Sequence, residues 1–297
     1  MALADGLPTP VEQLGERLWV KREDRTSTAY GGNKVRKLEF VLPVAARRGG
    51  PIVTAGGTGS HHVLAAAVFA RRLGLDVDAV QYPQDETPDV VHTRTAIDDL
   101  GVRVTQVPNA YAMPVGLAAR MVALATRKPY LLWPGASTPL GALGYVSAGL
   151  ELVAAVDEPD AVVVPLGSGG TAVGLALGLA LGGWKRAEVM AVRAADLVVT
   201  NAPLLRGLEA GTAALMAMGG WVPRAARWSI DARWFGGVYG RPTREGSTAA
   251  ERAAAMGLEL EPTYTAKAFA AALALVEQGK RVVFLQTFNG TRAPLPR

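Results

Sequence analysis

The chain of 297 residues contains no cysteine. Without a thiol it can form no disulfide, use no cysteine nucleophile and hold no cysteine-ligated metal or iron–sulfur cluster. Histidine is also scarce, with three residues, and the adjacent pair His61 and His62 would point to different sides of a helix or strand. We therefore expect no metal site.

The sequence also lacks blocks of like charge. Basic residues outnumber acidic ones by 31 to 26, but the excess consists of scattered arginines without an aromatic-rich basic stripe. This pattern favours a solvated surface over nucleic-acid binding. The first residues lack the pattern of a secretory signal, and the uncharged stretch 161–184 is interrupted by Pro165 and by glycines near its start. We expect a soluble, cytoplasmic protein that does not associate with membranes.

Short β-branched runs alternate with helical patterns along the chain, which is typical of βαβ units around mostly parallel sheets. Strands are predicted at 18–21, 51–55, 76–82, 102–107, 130–133, 161–164, 188–192 and 281–286. Helices are predicted near 61–73, 89–100, 113–126, 145–156, 171–181, 203–218, 243–256 and 265–278. The pattern predicts two α/β blocks, each with a glycine-rich turn between a strand and a helix, and a cleft between the blocks.

One of these turns has the composition of an anion-binding site. Gly167, Ser168, Gly169, Gly170 and Thr171 follow an apolar strand and precede an apolar helix. Glycines leave the backbone N–H groups accessible, the N-terminus of a helix is electropositive, and the two hydroxyls can add hydrogen bonds. The turn therefore predicts a phosphate site, although a tight turn without a ligand would have the same pattern.

Nucleotide ligands fit this turn less well. A dinucleotide fold has its glycines in the first strand–helix turn and an acidic residue after the next strand. Here the turn lies past the middle of the chain, and Arg193 follows the next predicted strand. No lysine follows the glycines as it would in a P-loop. A nicotinamide oxidoreductase is therefore a disfavoured alternative.

A lysine near the N-terminus supplies a candidate amine. Gly31, Gly32 and Asn33 have the composition of a turn and helix cap, and the helical pattern begins at Val35, which puts Lys34 at a helix N-terminus. The positive end of the helix would lower the pKa of Lys34 and favour the nucleophilic amine. Lys37 is the second candidate, and a solvated surface lysine is the alternative interpretation of Lys34.

Pyridoxal 5'-phosphate (PLP) carries an aldehyde, which reacts with an amine, and a phosphate, which needs an anion site. Lys34 and the turn at 167–171 together match both requirements. The sequence therefore predicts a PLP-binding protein.

The chain resembles the aminocyclopropane-carboxylate (ACC) deaminase and D-cysteine desulfhydrase family, which comprises PLP-dependent enzymes of the tryptophan-synthase-β fold (PLP fold type II). The resemblance rests on short segments that occur in the family's order and together span about residues 21 to 286. These segments are Lys21-Arg22-Glu23-Asp24, 31–39, Gly56-Gly57 with Ser60, Gly135-Ala136-Ser137, 141–145, 167–171, Tyr239-Gly240-Arg241-Pro242 and 262–267.

The resemblance implies a set of roles. Lys34 would bind the cofactor covalently and later move the Cα proton, and the turn at 167–171 would bind the phosphate. Thr58, Gly59, Ser60 and His61 would receive the substrate carboxylate, with Ser60 in contact with the substrate. Tyr239 and Tyr264 correspond to two active-site tyrosines that can act as acid, base or nucleophile. For Tyr145, a packing role is the better interpretation.

Thr265 distinguishes reactions within the family. It falls beside the pyridine nitrogen of the cofactor, where the deaminases carry Glu and the desulfhydrases carry Thr. A neutral hydroxyl keeps that nitrogen protonated less well than a carboxylate does, so Thr265 favours β-elimination over cyclopropane ring opening.

Two departures from the family pattern lie near the expected substrate pocket. His61 stands where the family has an Asn that contacts the ring hydroxyl of the cofactor; His61 could donate the same hydrogen bond, but it is larger. The family's C-terminal His-Thr-Gly-Gly segment is replaced by residues 286–290.

The resemblance implies a large PLP-binding domain, 1–36 and 145–297, with a small α/β domain, 37–144, inserted between its parts and the cofactor in the cleft. We expect a homodimeric lyase or deaminase that acts on a small amino acid, with D-cysteine-desulfhydrase-like β-elimination favoured. The alternatives are an ACC deaminase, an amino-acid racemase on the same scaffold, and a degenerate PLP-binding protein with little turnover.

Overall fold

The computed structural model describes residues 2–197, 199–222 and 227–289. In these ranges the strands are β1 (Val11–Gly15), β2 (Leu18–Lys21), β3 (Ile52–Gly57), β4 (Val77–Tyr82), β5 (Arg103–Gln106), β6 (Tyr130–Leu131), β7 (Ala161–Leu166), β8 (Glu188–Arg193), β9 (Trp228–Asp231) and β10 (Val282–Leu285). The α-helices are α1 (Lys34–Arg48), α2 (His61–Arg72), α3 (Pro88–Asp99), α4 (Met113–Ala123), α5 (Pro139–Ala155), α6 (Gly170–Leu181), α7 (Ala202–Met218), α8 (Arg244–Ala255) and α9 (Thr265–Glu277).

The described residues group into two compact units. The first consists of residues 2–3 and Leu38–Ala136, and the second of Ala4–Lys37 and residues 137–289. One boundary falls inside α1, after Lys37, and the other precedes α5. The division into domains at 36/37 and 144/145 that the sequence suggested stays a prediction.

The first unit is built on a four-stranded sheet in the order β5-β4-β3-β6, and all its pairs are parallel. Side chains of β3 and β4 form a core with Leu117 and Leu124, which lie on and just after α4. The helix α2 follows β3 directly, so the turn between them lies at the carboxyl end of a parallel strand, where α/β proteins bind ligands.

The second unit is built on a six-stranded sheet in the order β1-β2-β10-β7-β8-β9, in which only the β1–β2 pair is antiparallel. Its central strand β7 is buried on both faces. Val162 and Val164 pack in a core with α5, α6 and α7, whereas Val163 packs with α8 and α9. Helices on both faces explain why the sequence of β7 is a continuous apolar run.

The predicted alternation of strands and helices is confirmed, with one helix wrong at its start. The sequence predicted a helix from 145, but α5 begins at Pro139, because the Thr138 side chain caps it by accepting the N–H of Gly141 at 3.1 Å. The glycines of α5 serve close packing: a Cβ at Gly144 would lie 2.2 Å from the carbonyl oxygen of Arg36. The strands β1 and β9 were not predicted.

The uncharged stretch 161–184 forms β7, a turn and α6, as its glycines and Pro165 suggested. Within the ranges that the structure describes, no helix has the length and apolar character needed to cross a bilayer.

Candidate active site

The turn between β7 and α6 presents hydrogen-bond donors. Gly169 has φ of +88°, a left-handed conformation that favours glycine. Within the described part of the chain, the backbone N–H groups of Gly167, Ser168 and Gly169 donate to no carbonyl or side chain. These groups lie at the N-terminus of α6, where the helix dipole also attracts an anion.

Two residues outside this turn bind its hydroxyl groups. Ser137 Oγ accepts the N–H of Gly170 at 3.1 Å and lies 2.7 Å from Ser168 Oγ. Asn33 Nδ2 donates to Thr171 Oγ1 at 3.0 Å. The side chain of Asn33, the residue before Lys34, therefore ties the start of α1 to the turn.

Lys34 is the first residue of α1 and is partly buried. Burial lowers the pKa of its amine to about 8, against an opposing effect of the Glu261 carboxylate, which raises it. The sequence predicted a lowered pKa for Lys34, and this value agrees. It attributed the shift to the helix N-terminus, whereas burial is the largest cause. The alternative of a solvated surface lysine is wrong.

Lys37 lies one helical turn after Lys34 and is only 2% exposed. Burial and the neighbouring Lys34 hold the pKa of its amine well below the usual range. Among the residues that the structure describes, neither lysine forms a hydrogen bond or ion pair. Two buried amines without an anionic partner are the environment that an anionic ligand would stabilise.

The two predicted tyrosines lie together beside Lys34. The Lys34 Nζ is 5.9 Å from the centre of the Tyr264 ring, and the Tyr264 hydroxyl donates to that of Tyr239 at 3.0 Å. The two rings pack edge to face with their centres 6.0 Å apart. Tyr264 also borders the turn, since a Cβ at Gly167 would lie 3.2 Å from its Cε1.

Glu261, which the sequence analysis did not single out, caps the helix that follows Tyr264. Its carboxylate is 8% exposed and accepts the backbone N–H groups of Thr263, Tyr264 and Thr265 at 2.7 to 2.8 Å. In return, Thr265 Oγ1 accepts the backbone N–H of Glu261 at 2.9 Å. This reciprocal cap fixes the backbone that carries Tyr264 and the buried Thr265 hydroxyl.

Lys267, on the first turns of α9, supports the segment that carries Tyr239. Its side chain is fully buried, and Nζ donates to the carbonyl oxygen of Phe235 at 2.8 Å. Burial lowers the pKa of this amine, while Glu261 again acts in the opposite direction. The bond joins α9 to the loop just before Tyr239.

Residues 286–289, which depart from the family pattern, contact the segment just before Lys34. The Asn33 N–H donates to the Thr287 carbonyl oxygen at 3.1 Å, and the Gly31 N–H donates to Asn289 Oδ1 at 2.8 Å. Gln286 Nε2 donates to the Glu259 carbonyl oxygen. Gly290, the last residue of the segment, lies outside the described residues.

A buried ionic network anchors the first turn of α1. The Arg36 guanidinium contacts Glu23 Oε2 at 2.7 Å and Glu151 Oε2 at 2.7 Å. Lys21 Nζ pairs with Glu151 at 2.9 Å, and the Tyr145 hydroxyl donates to Glu23 at 2.8 Å. Tyr145 is fully buried, as its packing interpretation requires.

The predicted substrate loop belongs to the first unit. Thr58 N–H donates to the Tyr82 carbonyl oxygen at 3.0 Å, and Gly59 N–H donates to Gln84 Oε1 at 2.8 Å. Ser60 caps α2 by accepting the Val63 N–H at 3.4 Å.

His61, in the same loop, begins α2. Its Nε2 lies 2.9 Å from Asp89 Oδ2, on the first turn of α3. Its side chain is 27% exposed.

The residues of the second unit fit PLP. Lys34 supplies an amine with a lowered pKa, the turn at 167–171 supplies donors, and Lys37 supplies a second buried amine. An α/β fold with this combination, at the carboxyl end of a parallel strand, defines a protein of the PLP-binding class.

Comparison with known proteins agrees with that class. The family described as pyridoxal-phosphate dependent enzyme matches residues 5–287. D-cysteine desulfhydrases of Klebsiella pneumoniae (strain 342) and Yersinia pestis (strain Pestoides F) are each 34% identical to this chain. The first match covers 89% of this chain and 85% of the relative, and the second covers 93% and 88%.

Among solved structures, an ACC deaminase homologue superposes with a TM-score of 0.80 at 27% identity, covering 95% of this chain and 89% of that one. A threonine deaminase of Solanum lycopersicum, at 18% identity and a TM-score of 0.65, shares the fold; the match covers 96% of this chain and 84% of that one. The chain therefore belongs to the PLP-dependent enzyme family, and the predicted family, fold class and cofactor are confirmed.

No local sequence pattern singles out Asn33, Ser137 or Glu261 as functional candidates. Asn33 and Ser137 stand in segments that carry the family resemblance, and Glu261 directly precedes such a segment. Their contacts join residues far apart in the chain, which no local pattern predicts.

Proposed function

We propose that this protein is a lyase of the D-cysteine desulfhydrase type, which eliminates a β-leaving group from a small amino acid. The observation that carries the proposal is a cluster in the second unit. It comprises the Lys34 amine, the Tyr264–Tyr239 pair beside it and the N–H groups of the turn, which have no acceptor among the described residues. The identity to D-cysteine desulfhydrases over most of the chain supports the reaction type.

Lys34 is the residue that would hold the cofactor and move the substrate proton. When bound, PLP supplies an electron sink for the electron pair left on Cα. With a pKa of about 8, the Lys34 amine is partly neutral at pH 7 to 8 and can accept the Cα proton.

The tyrosine pair would handle the leaving group. Tyr264 donates its proton to Tyr239 at 3.0 Å, so the pair shares a hydrogen bond along which a proton can be delivered. A phenol next to the Lys34 amine is suited to protonate a departing sulfide or hydroxide. Glu261 and Lys267 hold the two tyrosine-bearing segments in place.

In the first unit, Thr58, Gly59, Ser60 and His61 would bind the substrate carboxylate. The supporting features are the N-terminus of α2 and the His61–Asp89 contact, which holds an imidazole that carries a positive charge when protonated. A protonated His61 would attract a carboxylate more strongly than the neutral form.

The overall reaction balances without an oxidant. The Cα–H bond and the bond from Cβ to the leaving group break, and a carbon–carbon double bond forms. The leaving group departs with its electron pair and gains a proton. Water then hydrolyses the resulting enamine, after tautomerisation, to a keto acid and ammonia.

The test has two parts. Borohydride reduction of the PLP-loaded protein followed by peptide mapping should find the cofactor on Lys34. A panel of D- and L-amino acids with β-leaving groups should release keto acid and ammonia. Lys34→Ala should lose both signals, while Lys280→Ala, at an exposed position, should keep them. Attachment at Lys37, or no release from any amino acid, would contradict the proposal.

The same panel separates the alternatives. Release of a keto acid and ammonia from ACC would indicate a deaminase, although Thr265 argues against it. Inverted configuration of recovered amino acid would indicate a racemase, and PLP uptake without product would indicate a degenerate protein. Homodimer formation and cytoplasmic location stay predictions, the first of which light scattering on the purified protein would test.

A further inference from the structure

The N-terminal segment of α1, Lys34–Lys37, carries two lysines that are chemically alike. Burial lowers the pKa of both amines, and Lys34 lowers that of Lys37 further. In an α-helix, residues three apart are displaced by about 4.5 Å along the axis and about 60° around it. A slide and rotation of that size would put Lys37 in the place of Lys34. The orientation of the segment therefore decides which amine is presented.

This segment is too short to keep one orientation by itself. Only Lys34–Lys37 of α1 belong to the second unit, and a single helical turn is not stable without tertiary contacts. The apolar contacts of the buried Val35 are non-directional, so they tolerate rotation. Directional bonds must therefore fix the segment.

Arg36 supplies such bonds from the far side of the helix, about 200° around the axis from Lys34. Its guanidinium is 1% exposed and donates to both carboxylate oxygens of Glu23, at 2.7 and 2.9 Å. It also donates to both carboxylate oxygens of Glu151, at 2.8 and 2.7 Å. A planar group bound in two forks leaves little freedom to rotate.

Glu23 is the centre of this network. Its carboxylate is fully buried and also accepts the hydroxyls of Thr9 at 2.7 Å and Tyr145 at 2.8 Å. Burial opposes its ionisation, but Arg36 holds the pKa of Glu23 below its usual value, so its oxygens only accept. The Glu23 carbonyl oxygen accepts the N–H of Gly32, just ahead of α1, at 2.9 Å. Glu23 therefore holds both the backbone before the segment and the side chain behind it.

A contribution to stability alone does not account for such a network. Desolvation offsets much of the attraction in a buried ion pair, and apolar side chains of similar size often stabilise a protein equally well. Directional bonds between buried charges add the exclusion of other packings. For this segment, the packing to be excluded is the one that presents Lys37.

We propose that Glu23 and Arg36 are positioning residues that fix the rotation of the N-terminal segment of α1, and so select Lys34 over Lys37 as the lysine that binds PLP. The proposal rests on the proposed function, because it takes Lys34 as the cofactor lysine. It assigns the choice between the two amines to buried residues that the proposed function does not use.

Glu23→Asp tests the selection. Aspartate keeps the charge, but its shorter side chain cannot reach all four donor groups of the parent carboxylate at once. The PLP-loaded protein is reduced with borohydride, and peptide mapping gives the ratio of cofactor on Lys34 to cofactor on Lys37. We expect this ratio to fall about 10-fold, as for the loss of one hydrogen bond to a charged group.

Glu158→Asp is the matched control. Glu158 is also a glutamate of the second unit that accepts several donors, but these are the backbone N–H groups of residues 185–187, before β8. Its shortening should lower the free energy of unfolding, measured by chemical denaturation, without changing the ratio of labelled lysines.

Tyr145→Phe is a milder second variant, which decides the question if Glu23→Asp does not fold. It removes the hydroxyl that donates to Glu23 and keeps the buried ring. We expect the ratio to fall about threefold.

The apoprotein gives a readout that does not need the cofactor. An amine reagent should modify Lys34 faster than Lys37 in the parent, because Lys37 is only 2% exposed. In Glu23→Asp and Tyr145→Phe the two rates should approach each other. In Glu158→Asp they should stay as far apart as in the parent.

Unchanged ratios in Glu23→Asp and Tyr145→Phe, or an equal change in Glu158→Asp, would overturn the proposal and leave the proposed function intact. Shifted ratios in a protein that turns over no amino acid would support the selection of Lys34 while contradicting the proposed function. The two can therefore fail separately. PLP on Lys37 in the parent would overturn both.

Discussion

Each compact unit contains one strand–glycine–helix turn, and the two turns use their donors in opposite ways. In the first unit, the turn after β3 satisfies its own N–H groups: Thr58 donates to Tyr82, and Gly59 donates to the side chain of Gln84. Its serine, Ser60, serves as the cap of α2.

The turn after β7, in the second unit, leaves its N–H groups without acceptors among the described residues, and its hydroxyls are bound from behind by Ser137 and Asn33. Both turns have three glycines, one serine and one threonine within five residues. The difference therefore comes from the neighbours of each turn and not from its composition. A glycine-rich turn predicts room for an anion, whereas the surrounding side chains decide which ligand it can bind.

The largest expected effect comes from adding a methyl group at Gly170, in the turn after β7. In Gly170→Ala the new methyl group would lie 2.7 Å from Ser137 Oγ and 3.1 Å from Ser137 Cα, so Ser137 must move away. Loss of its bonds to Gly170 and Ser168 should cost about 1.4 kcal/mol of binding, which is about 10-fold in the PLP dissociation constant. Titration of the apoprotein with PLP measures this loss.

The control for that substitution is Gly207→Ala. Gly207 lies inside α7, and a methyl group added there would meet no atom within 4 Å, so alanine fits at this position. Because alanine is the better helix former, we expect unfolding to cost about 0.5 to 1 kcal/mol more, with PLP affinity unchanged. Equal PLP affinity of Gly170→Ala and the parent would show that the second turn does not depend on its close contact with Ser137.

A smaller effect should follow from removing the carboxylate near the second turn. Glu261 raises the pKa of Lys34 against the effect of burial, so Glu261→Gln should lower that pKa below about 8. A lower pKa leaves more neutral amine at pH 7, and modification of Lys34 in the apoprotein by an amine reagent should become about fivefold faster there. Peptide mapping of the modified lysine across pH 6 to 9 gives the rate at Lys34 alone.

Glu261→Asp separates the charge of Glu261 from its capping role. Aspartate keeps the negative charge but is one methylene shorter, so the cap on Thr263, Tyr264 and Thr265 weakens more than the electrostatic effect does. We expect the pH dependence of Lys34 modification in Glu261→Asp to stay closer to that of the parent than the pH dependence in Glu261→Gln does. If the pH dependence of Lys34 modification in Glu261→Gln shifted to higher pH, the proposed effect of the Glu261 carboxylate on the pKa of Lys34 would be contradicted.

The comparison of the turns also marks what the sequence could predict. Lys34, the turn at 167–171 and the alternation of strands and helices were recognisable because each is a local pattern of backbone and side-chain chemistry. The start of α5 was missed because glycines that serve close helix packing resemble those of a loop. The cause of the lowered Lys34 pKa was missed because burial depends on residues distant in sequence.

The contacts that distinguish the two turns were equally inaccessible. Ser137 is 31 residues from Ser168, and Asn33 is 138 residues from Thr171. Gln84 reaches Gly59 across 25 residues. Such partners are set by the register of the sheets and the packing of helices, so the sequence indicates that a turn can bind an anion but not whether its donors are available.

The smallest expected effect concerns the turn after β3 and tests whether its N–H groups can also become available to a ligand. In Gln84→Ala the Gly59 N–H loses its internal acceptor and becomes available to a ligand. A substrate carboxylate must otherwise displace that neutral bond, which is worth about 0.5 to 1.5 kcal/mol. If the first turn binds the carboxylate as proposed, KM for the best substrate of the amino-acid panel should fall about threefold in Gln84→Ala, with kcat little changed.

Gln106→Ala is the matched control, because Gln106 is an exposed glutamine on β5 of the same sheet, and its kinetic constants should equal those of the parent. A rise in KM for Gln84→Ala would mean that Gln84 organises the turn for the substrate and does not compete with it. The two turns would then differ less than their hydrogen bonds suggest, since each would depend on a side chain from outside for its shape. A fall in KM would instead show that an N–H group of the first turn is occupied by the chain's own Gln84, whereas the N–H groups of the second turn are available to a ligand.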